Sequence, residues 1–288
     1  MIKRKLEFIS SGYSPLAKSA VSKITFLQDK AEVVTSQNTL GASALSNIKR
    51  ISKTQYVKVN TGEVFEYNTG INKADNTVSI KNSLKKLRKL IINNFVEFES
   101  FFITLTYRTE MLDFSQAAND YRKFYDNLKN RYSHYRLEYL RIIEPTDKGV
   151  WHIHVLLKST LTAEKFFISQ EEVQKLWKYG SVKSEQIYDV AKLSAYFCTY
   201  SNDNNLLAFT EKSKHVIKQS RWKYYPCGAK IFTKSKGIKY PESVKASREQ
   251  VDKILEEYSR ISASTLTVKD SETGEVVNKV NYEYYEKN

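Results

Sequence analysis

The spacing of apolar residues predicts a central region in which strands and helices alternate. β-Branched and aromatic runs predict strands, whereas apolar residues three and four apart predict helices. The predicted strands are 101–107, 138–144, 150–157 and 182–187, preceded by a hairpin over 55–67, and the predicted helices are 83–95, 114–132, 169–178 and 190–200. This strand–helix–strand–strand–helix order predicts an α+β domain, with helices packed on an antiparallel sheet.

The two ends of the chain show weaker patterns. Residues 1–50 are rich in Ser, Lys, Asn and Thr, so we expect much of this arm to be mobile. Near the other end, the apolar spacing predicts a helix from Val251 to Tyr258 and a hairpin that pairs 266–268 with 276–277. The sequence thus predicts three parts, which are an accessory N-terminal region (1–97), a central domain (98–241) and a C-terminal helix and hairpin (242–288).

Charge and cysteine content narrow the functional class. The chain has 46 Lys and Arg against 32 Asp and Glu, a net charge of +14, which favours a polyanionic partner such as nucleic acid. Cys198 and Cys227 are too few for a disulfide framework or a four-cysteine zinc site. No apolar run has secretory or membrane-spanning length, so we expect a cytoplasmic protein without a membrane partner.

Two of the four histidines indicate a metal site. His152 and His154 alternate on a predicted strand, so both imidazoles point to one face. A three-residue loop at 147–149 would place Glu144 opposite His152 on the same face, whereas a shift of one residue would turn it away. Two imidazoles and a carboxylate could bind a divalent metal; Mn²⁺ or Mg²⁺ suits a phosphate substrate, and zinc is chemically possible. The alternative is a pair of surface histidines on a half-buried strand.

A pair of tyrosines offers a nucleophile. A side-chain hydroxyl can cleave a phosphodiester by becoming covalently linked to it, and Tyr196 and Tyr200 share one face of a predicted helix. A phenol has a pKa of about 10, so attack near neutral pH needs a nearby cation or proton acceptor. Lys192, one turn before Tyr196, could steady a phenolate or a phosphate. The same spacing at Tyr121 and Tyr125 is interpreted as core packing.

A basic segment follows the tyrosine helix. Residues 212–240 contain nine Lys or Arg and no Asp or Glu, and aromatic residues are interleaved with them. Cations that follow phosphates and rings that stack on bases are typical of single-strand binding. The alternative is a solvated loop followed by an edge strand at 229–233. The candidate DNA-contacting residues are Lys192, Lys214, Lys218, Arg221 and Lys223.

Three blocks stand in a characteristic order, namely 102–107 (Phe-Ile-Thr-Leu-Thr-Tyr), Glu144 with 152–154 (His-Ile-His), and 195–200 (Ala-Tyr-Phe-Cys-Thr-Tyr). This arrangement resembles the three-motif signature of the HUH endonucleases. It is most similar to the rolling-circle replication initiators of low-GC Gram-positive plasmids, phages and integrative elements. The similarity extends to 177–180 and 235–241 and covers about residues 61–241.

The resemblance implies a ferredoxin-like sheet, the HUH nickase core, with the His152–His154 strand at its centre. It implies a divalent ion, Mg²⁺ or Mn²⁺, held by both histidines and Glu144, which would polarise the phosphate. Tyr196 would attack the scissile phosphate, leaving a 5′-phosphotyrosine and a free 3′-hydroxyl that primes synthesis, and Tyr200 would serve a second transfer. The implied partners are single-stranded or hairpin origin DNA and the host helicase and polymerase.

One position departs from the family pattern. Thr199 stands where many relatives have a lysine just before the second tyrosine. Lys192 substitutes for that lysine, or the order in which the tyrosines act differs, or activity is reduced. Two other functions stay open, which are a relaxase or transposase with the same metal–tyrosine chemistry, and a DNA-binding initiator or repressor that does not nick.

Overall fold

The computed structural model describes residues 6–38, 48–52, 54–59, 61–66, 70–161, 166–198 and 218–288. It divides the chain into two compact units. The terminal unit comprises the described parts of 1–68 and 241–288, and the central unit comprises those of 69–240.

The strands, in chain order, are β1 (Leu6–Gly12), β2 (Val21–Leu27), β3 (Lys30–Ser36), β4 (Ile48–Arg50), β5 (Gln55–Lys58), β6 (Val64–Glu66), β7 (Ser100–Leu105), β8 (Leu137–Pro145), β9 (Trp151–Ser159), β10 (Val182–Gln186), β11 (Phe232–Lys234), β12 (Ser243–Ser247), β13 (Tyr258–Asp270) and β14 (Val276–Lys287). The α-helices are α1 (Thr77–Asn94), α2 (Phe114–Arg131), α3 (Gln170–Leu176), α4 (Val190–Cys198) and α5 (Arg248–Ile254). Three 3₁₀ helices lie at Lys73–Asp75, Ser133–Tyr135 and Lys218–Tyr224.

The α+β class predicted from the sequence is confirmed. Among the described residues, five α-helices accompany three sheets whose neighbouring strands run antiparallel. No helix in these ranges combines the length and the apolar character needed to cross a bilayer.

The terminal unit contains a six-stranded sheet in the order β1-β13-β14-β3-β2-β12 and a three-stranded sheet, β4-β5-β6. The C-terminal hairpin is confirmed and is longer than predicted. The expectation that the N-terminal arm is mostly mobile is wrong, because residues 6–36 form β1, β2 and β3. Ser22, Thr25 and Thr35 are buried on these strands, and the Ser22 and Thr35 hydroxyls are hydrogen-bonded at 2.8 Å. Polar residues at buried positions conceal the hydrophobic alternation that sequence reasoning depends on.

Two boundaries differ from the expected ones. Helix α5 ends at Ile254, and Tyr258 begins β13 instead of continuing the predicted helix. Residues 69–97 belong to the central unit, whereas the sequence division placed them with the N-terminal region. The cause is the apolar stripe of α1, which is buried and packs against α4, where the Cys198 thiol donates to the Leu84 carbonyl at 3.3 Å.

The central unit is built on a five-stranded sheet in the order β10-β7-β9-β8-β11, so β9 lies in the middle. Asp113 caps α2 by accepting hydrogen bonds from the Ser115 and Gln116 amides. This helix covers the face that carries Arg141, whose guanidinium donates to the Ala118 carbonyl at 3.3 Å. Helix α4 lies on the other face, where Phe197 packs at 5.8 Å from Phe102.

Candidate active site

The hairpin formed by β8 and β9 has the register expected from its loop. Glu144 is paired with His152, and the Thr146 amide donates to the Val150 carbonyl at 2.8 Å. Gly149 closes the three-residue loop with φ +83°, a left-handed conformation that favours glycine. The sequence prediction of this register is therefore confirmed, and Glu144 shares one face of the sheet with both histidines.

Glu144, His152 and His154 form a compact group of possible metal ligands. One ligand atom from each lies within 4.8 Å of the other two, and the Glu144 Oε2 and His154 Nε2 atoms are 3.6 Å apart. Glu144 and His154 are buried and His152 is half-buried. A carboxylate with two imidazoles is a donor set that divalent transition metals accept readily. The residues present therefore fit a divalent cation.

Strand β7 supports this group from the side. Thr104 is paired with His154, and the Thr104 hydroxyl and His154 Nδ1 are 3.1 Å apart in a hydrogen bond. Phe102 stacks on the same imidazole, with ring centroids 5.3 Å apart and planes 18° apart. A partner on Nδ1 orients the ring and favours Nε2 as the metal-binding atom. Sequence reasoning used this strand only as a motif, although its alternation already placed Phe102 and Thr104 on one face.

Helix α4 brings one candidate nucleophile to the cluster. Asp189 accepts a hydrogen bond from the Lys192 amide at 2.7 Å at the start of this helix. The ring of Tyr196 lies 6.3 Å from that of His154, and the residue is 38% exposed, so DNA can reach it. Burial raises the pKa of the Tyr196 phenol, the Glu144 carboxylate raises it further, and Arg221 opposes both.

Arg221, predicted only as a DNA contact, lies at the cluster itself. Its Nε donates to Asp147 Oδ1 at 2.7 Å, and its Nη1 donates to Glu144 Oε1 at 3.3 Å. The hydrogen bond to Asp147 raises the pKa of Arg221 further, so the guanidinium stays charged. Lys192, the cation suggested by helical spacing, is exposed. The charge that lowers the pKa of Tyr196 comes from Arg221.

The remaining candidates are only partly described. Tyr200, Thr199 and Lys214 lie outside the described residues. The backbone of Lys218 begins the last 3₁₀ helix, but its side chain lies outside the description. Lys223 is exposed, with its ammonium 5.0 Å from the centre of the Tyr224 ring.

The two flanking segments of the sequence pattern hold the sheet edges. The Trp177 indole donates to the Thr106 carbonyl at 2.8 Å, just beyond β7. At Gly180 a β-carbon would stand 2.1 Å from that carbonyl oxygen, so the close approach requires glycine. Gly237 packs equally closely on Glu138, where its amide donates to the carboxylate at 2.9 Å. These residues position strands and do not join the cluster.

Residues 100–205 match a family model that describes a replication-associated protein of the ORF2 type. The match contains the three motif blocks and supports a protein of the rolling-circle replication initiator type. A comparison with curated proteins finds no match.

Proposed function

We propose that the central unit nicks single-stranded DNA at a replication origin by metal-assisted tyrosine transesterification. The observation that carries this proposal is the convergence of Glu144, His152 and His154 beside Tyr196 on one face of the sheet. All four residues lie inside the segment that matches the replication-associated family.

The topology supports a ferredoxin-like HUH nickase core. The order β7-α2-β8-β9-α3-β10 is a β-α-β-β-α-β sequence, and its strands lie in the spatial order β10-β7-β9-β8. This order places the strand with both histidines between β7 and β8. The proposed ligands thus lie on the most constrained strand of the sheet.

The proposed metal site is made of His152, His154 and Glu144, with Mg²⁺ or Mn²⁺ as the ion suited to a phosphate substrate. When bound, the ion would act as a Lewis acid on the phosphate. Thr104 would hold the His154 ring by accepting from its Nδ1–H, which leaves Nε2 as the ligand atom.

Tyr196 is the proposed nucleophile. Its phenolic oxygen would form a bond to phosphorus while the bond from phosphorus to the 3′-oxygen breaks. The phenol proton would pass to solvent, and the leaving 3′-oxygen would take up a proton. The products are a 5′-phosphotyrosine and a 3′-hydroxyl that primes synthesis. In the complete cycle Tyr200 would act in the second transfer.

The proposal includes the partners that this product requires. A nicked origin is extended only if a helicase unwinds it and a polymerase uses the 3′-hydroxyl, so host replication proteins in the cytoplasm would be recruited. A relaxase or transposase would share the same cleavage chemistry. The nature of the cleaved DNA, an origin or a transfer site, separates these possibilities.

A nicking assay tests the proposal directly. The substrate is a supercoiled plasmid carrying the DNA that adjoins the gene, incubated with Mn²⁺ or Mg²⁺, or with EDTA. We expect an open-circular product with protein attached to its 5′ end, formed only with metal, and no product from the empty plasmid. DNA binding without nicking would instead support the initiator that does not cleave. Equal nicking in EDTA would reject the metal site.

A further inference from the structure

Arg221 connects two acidic side chains of the β8–β9 hairpin. Its guanidinium donates from Nε to Asp147 in the loop and from Nη1 to Glu144 at the end of β8. Arginine has five N–H donors, and these two bonds use two of them. The side chain is 22% exposed, so the guanidinium is accessible from solvent.

The position of Arg221 is determined by its neighbours. Tyr225 is buried and its hydroxyl donates to the Ile143 carbonyl at 2.6 Å. The Tyr224 hydroxyl donates to the Asp147 carbonyl at 3.0 Å, and its ring lies so close to Gly149 that a β-carbon there would be 2.7 Å away. The 3₁₀ helix is therefore held on the hairpin by packing, and Arg221 is presented to Glu144 by the fold.

The two oxygens of Glu144 face different partners. Oε2 lies 3.6 Å from His154 Nε2, whereas Oε1 accepts from Arg221. The positive guanidinium thus offsets the negative charge of the one carboxylate in the proposed ligand set. A divalent cation that enters this site is repelled by Arg221, because like charges interact strongly where water is partly excluded.

A DNA phosphate changes this balance. Arginine binds phosphate through paired N–H groups, and the exposed side of Arg221 can offer such donors. A bound phosphate would neutralise the guanidinium and so restore the attraction of Glu144 for the cation. By linkage, a cation at the site would strengthen DNA binding by the same factor.

We propose that Arg221 contacts the DNA phosphate at the cluster and couples DNA binding to metal binding. The proposal rests on the proposed function, since it assigns a phosphate to the same site. It makes Arg221 a catalytic residue in the sense of a group that touches substrate. Its signature is a substitution that keeps or improves metal binding and yet slows nicking.

The test measures Mn²⁺ affinity of the full chain by calorimetry, with and without a mixed-sequence single-stranded oligonucleotide. For the wild type we expect the oligonucleotide to tighten Mn²⁺ binding by about ten-fold, within the usual range of coupling between sites. For Arg221→Gln we expect Mn²⁺ alone to bind at least as tightly as to the wild type, the coupling to fall below about three-fold, and nicking to slow.

Two variants complete the design. Arg122→Gln makes the same change at an exposed position on α2, which covers the other face of the sheet, and should retain the coupling. Asp147→Asn removes the anchor of Arg221 at a residue whose side chain is 75% exposed, so it tests the idea even if Arg221→Gln folds poorly. It should reduce the coupling while the arginine remains.

Weaker Mn²⁺ binding by Arg221→Gln without DNA would overturn the proposal, because the arginine would then merely support Glu144. Full coupling in both variants would overturn it as well. The binding measurements need no cleavage, so a wild type that shows coupling but never nicks would reject the proposed function alone. A wild type that binds no Mn²⁺ would reject both.

Discussion

The central and terminal units bury polar side chains in different arrangements. In the terminal unit, buried polar groups bond to one another across strands. The Glu283 carboxylate accepts from Arg248, Arg260 and the Tyr285 hydroxyl at 2.9–3.3 Å, and the Ser22 hydroxyl pairs with that of Thr35. Internal partners of this kind offset the cost of burial. Such an arrangement stabilises a sheet and presents no reactive group.

In the central unit, the polar cluster is placed beside reactive and charged side chains. Glu144 and His154 lie next to the half-exposed phenol of Tyr196 and the guanidinium of Arg221. The net charge follows the same division, since residues 69–240 hold 29 Lys and Arg against 17 Asp and Glu, whereas the rest of the chain holds 17 against 15. The difference teaches that burial of polar groups marks a site only where the cluster meets solvent and charge.

The largest effect is expected at the nucleophile. Tyr196→Phe keeps the packing of the ring but removes the attacking oxygen, so covalent attachment to DNA should fall by at least roughly a thousand-fold. Denaturing gels that display the protein–DNA adduct measure it. Tyr188→Phe, at an exposed tyrosine of the same unit, should form adducts normally. A fully active Tyr196→Phe beside an inactive Tyr200→Phe would show that the second tyrosine attacks first.

The next effect concerns the proposed metal ligands. His154→Ala and His152→Ala each remove one imidazole from the cluster, so Mn²⁺ affinity should fall by at least about 100-fold, and metal-stimulated nicking should be lost. Calorimetry and the plasmid assay measure these two quantities. His134→Ala is the matched control, because His134 is exposed and packs on Tyr135, with ring centroids 4.1 Å apart. Cleavage at the wild-type rate by His152→Ala would end the metal assignment.

A core substitution in the terminal unit tests whether that unit affects chemistry. Ile24 is fully buried, so Ile24→Ala should lower the free energy of unfolding by about 2–5 kcal/mol. Because Ile24 lies in the sheet with self-paired polar groups, the nicking rate per folded molecule should stay unchanged. Val21→Ala, at a residue 44% exposed on the same strand, should change stability by less than about 0.5 kcal/mol. A nicking rate lowered as far as in His154→Ala would break the comparison.

The smallest effect concerns individual surface charges. Lys223→Gln removes a cation of the central unit, so affinity for single-stranded DNA should fall several-fold, and the dependence of log affinity on log salt should weaken by about one. Titration at several salt concentrations measures both. Lys245→Gln makes the same change at an exposed lysine of the terminal unit and should leave the affinity unchanged. Equal losses in both variants would show that the two units share the DNA contact.

Much of the candidate site could be predicted because its parts are close in the chain. The loop 147–149 determines the register of the hairpin, and the alternation of β9 places His152 and His154 on one face. Helical spacing likewise indicated Tyr196. Each of these predictions needs only the geometry of one element or one turn.

The remaining features depend on pairings that local patterns do not contain. Strand β1 pairs with β13 and β2 pairs with β12, more than 200 residues away, and the polar residues buried in the sheet hide its alternation. Arg221 meets Glu144 across 77 residues because Tyr224 and Tyr225 pack on the hairpin. The amino-acid sequence alone thus determined which side chains share a face, since the repeat of a strand or helix is local. Only the tertiary structure decided which cation joins them, because that depends on how distant segments pack.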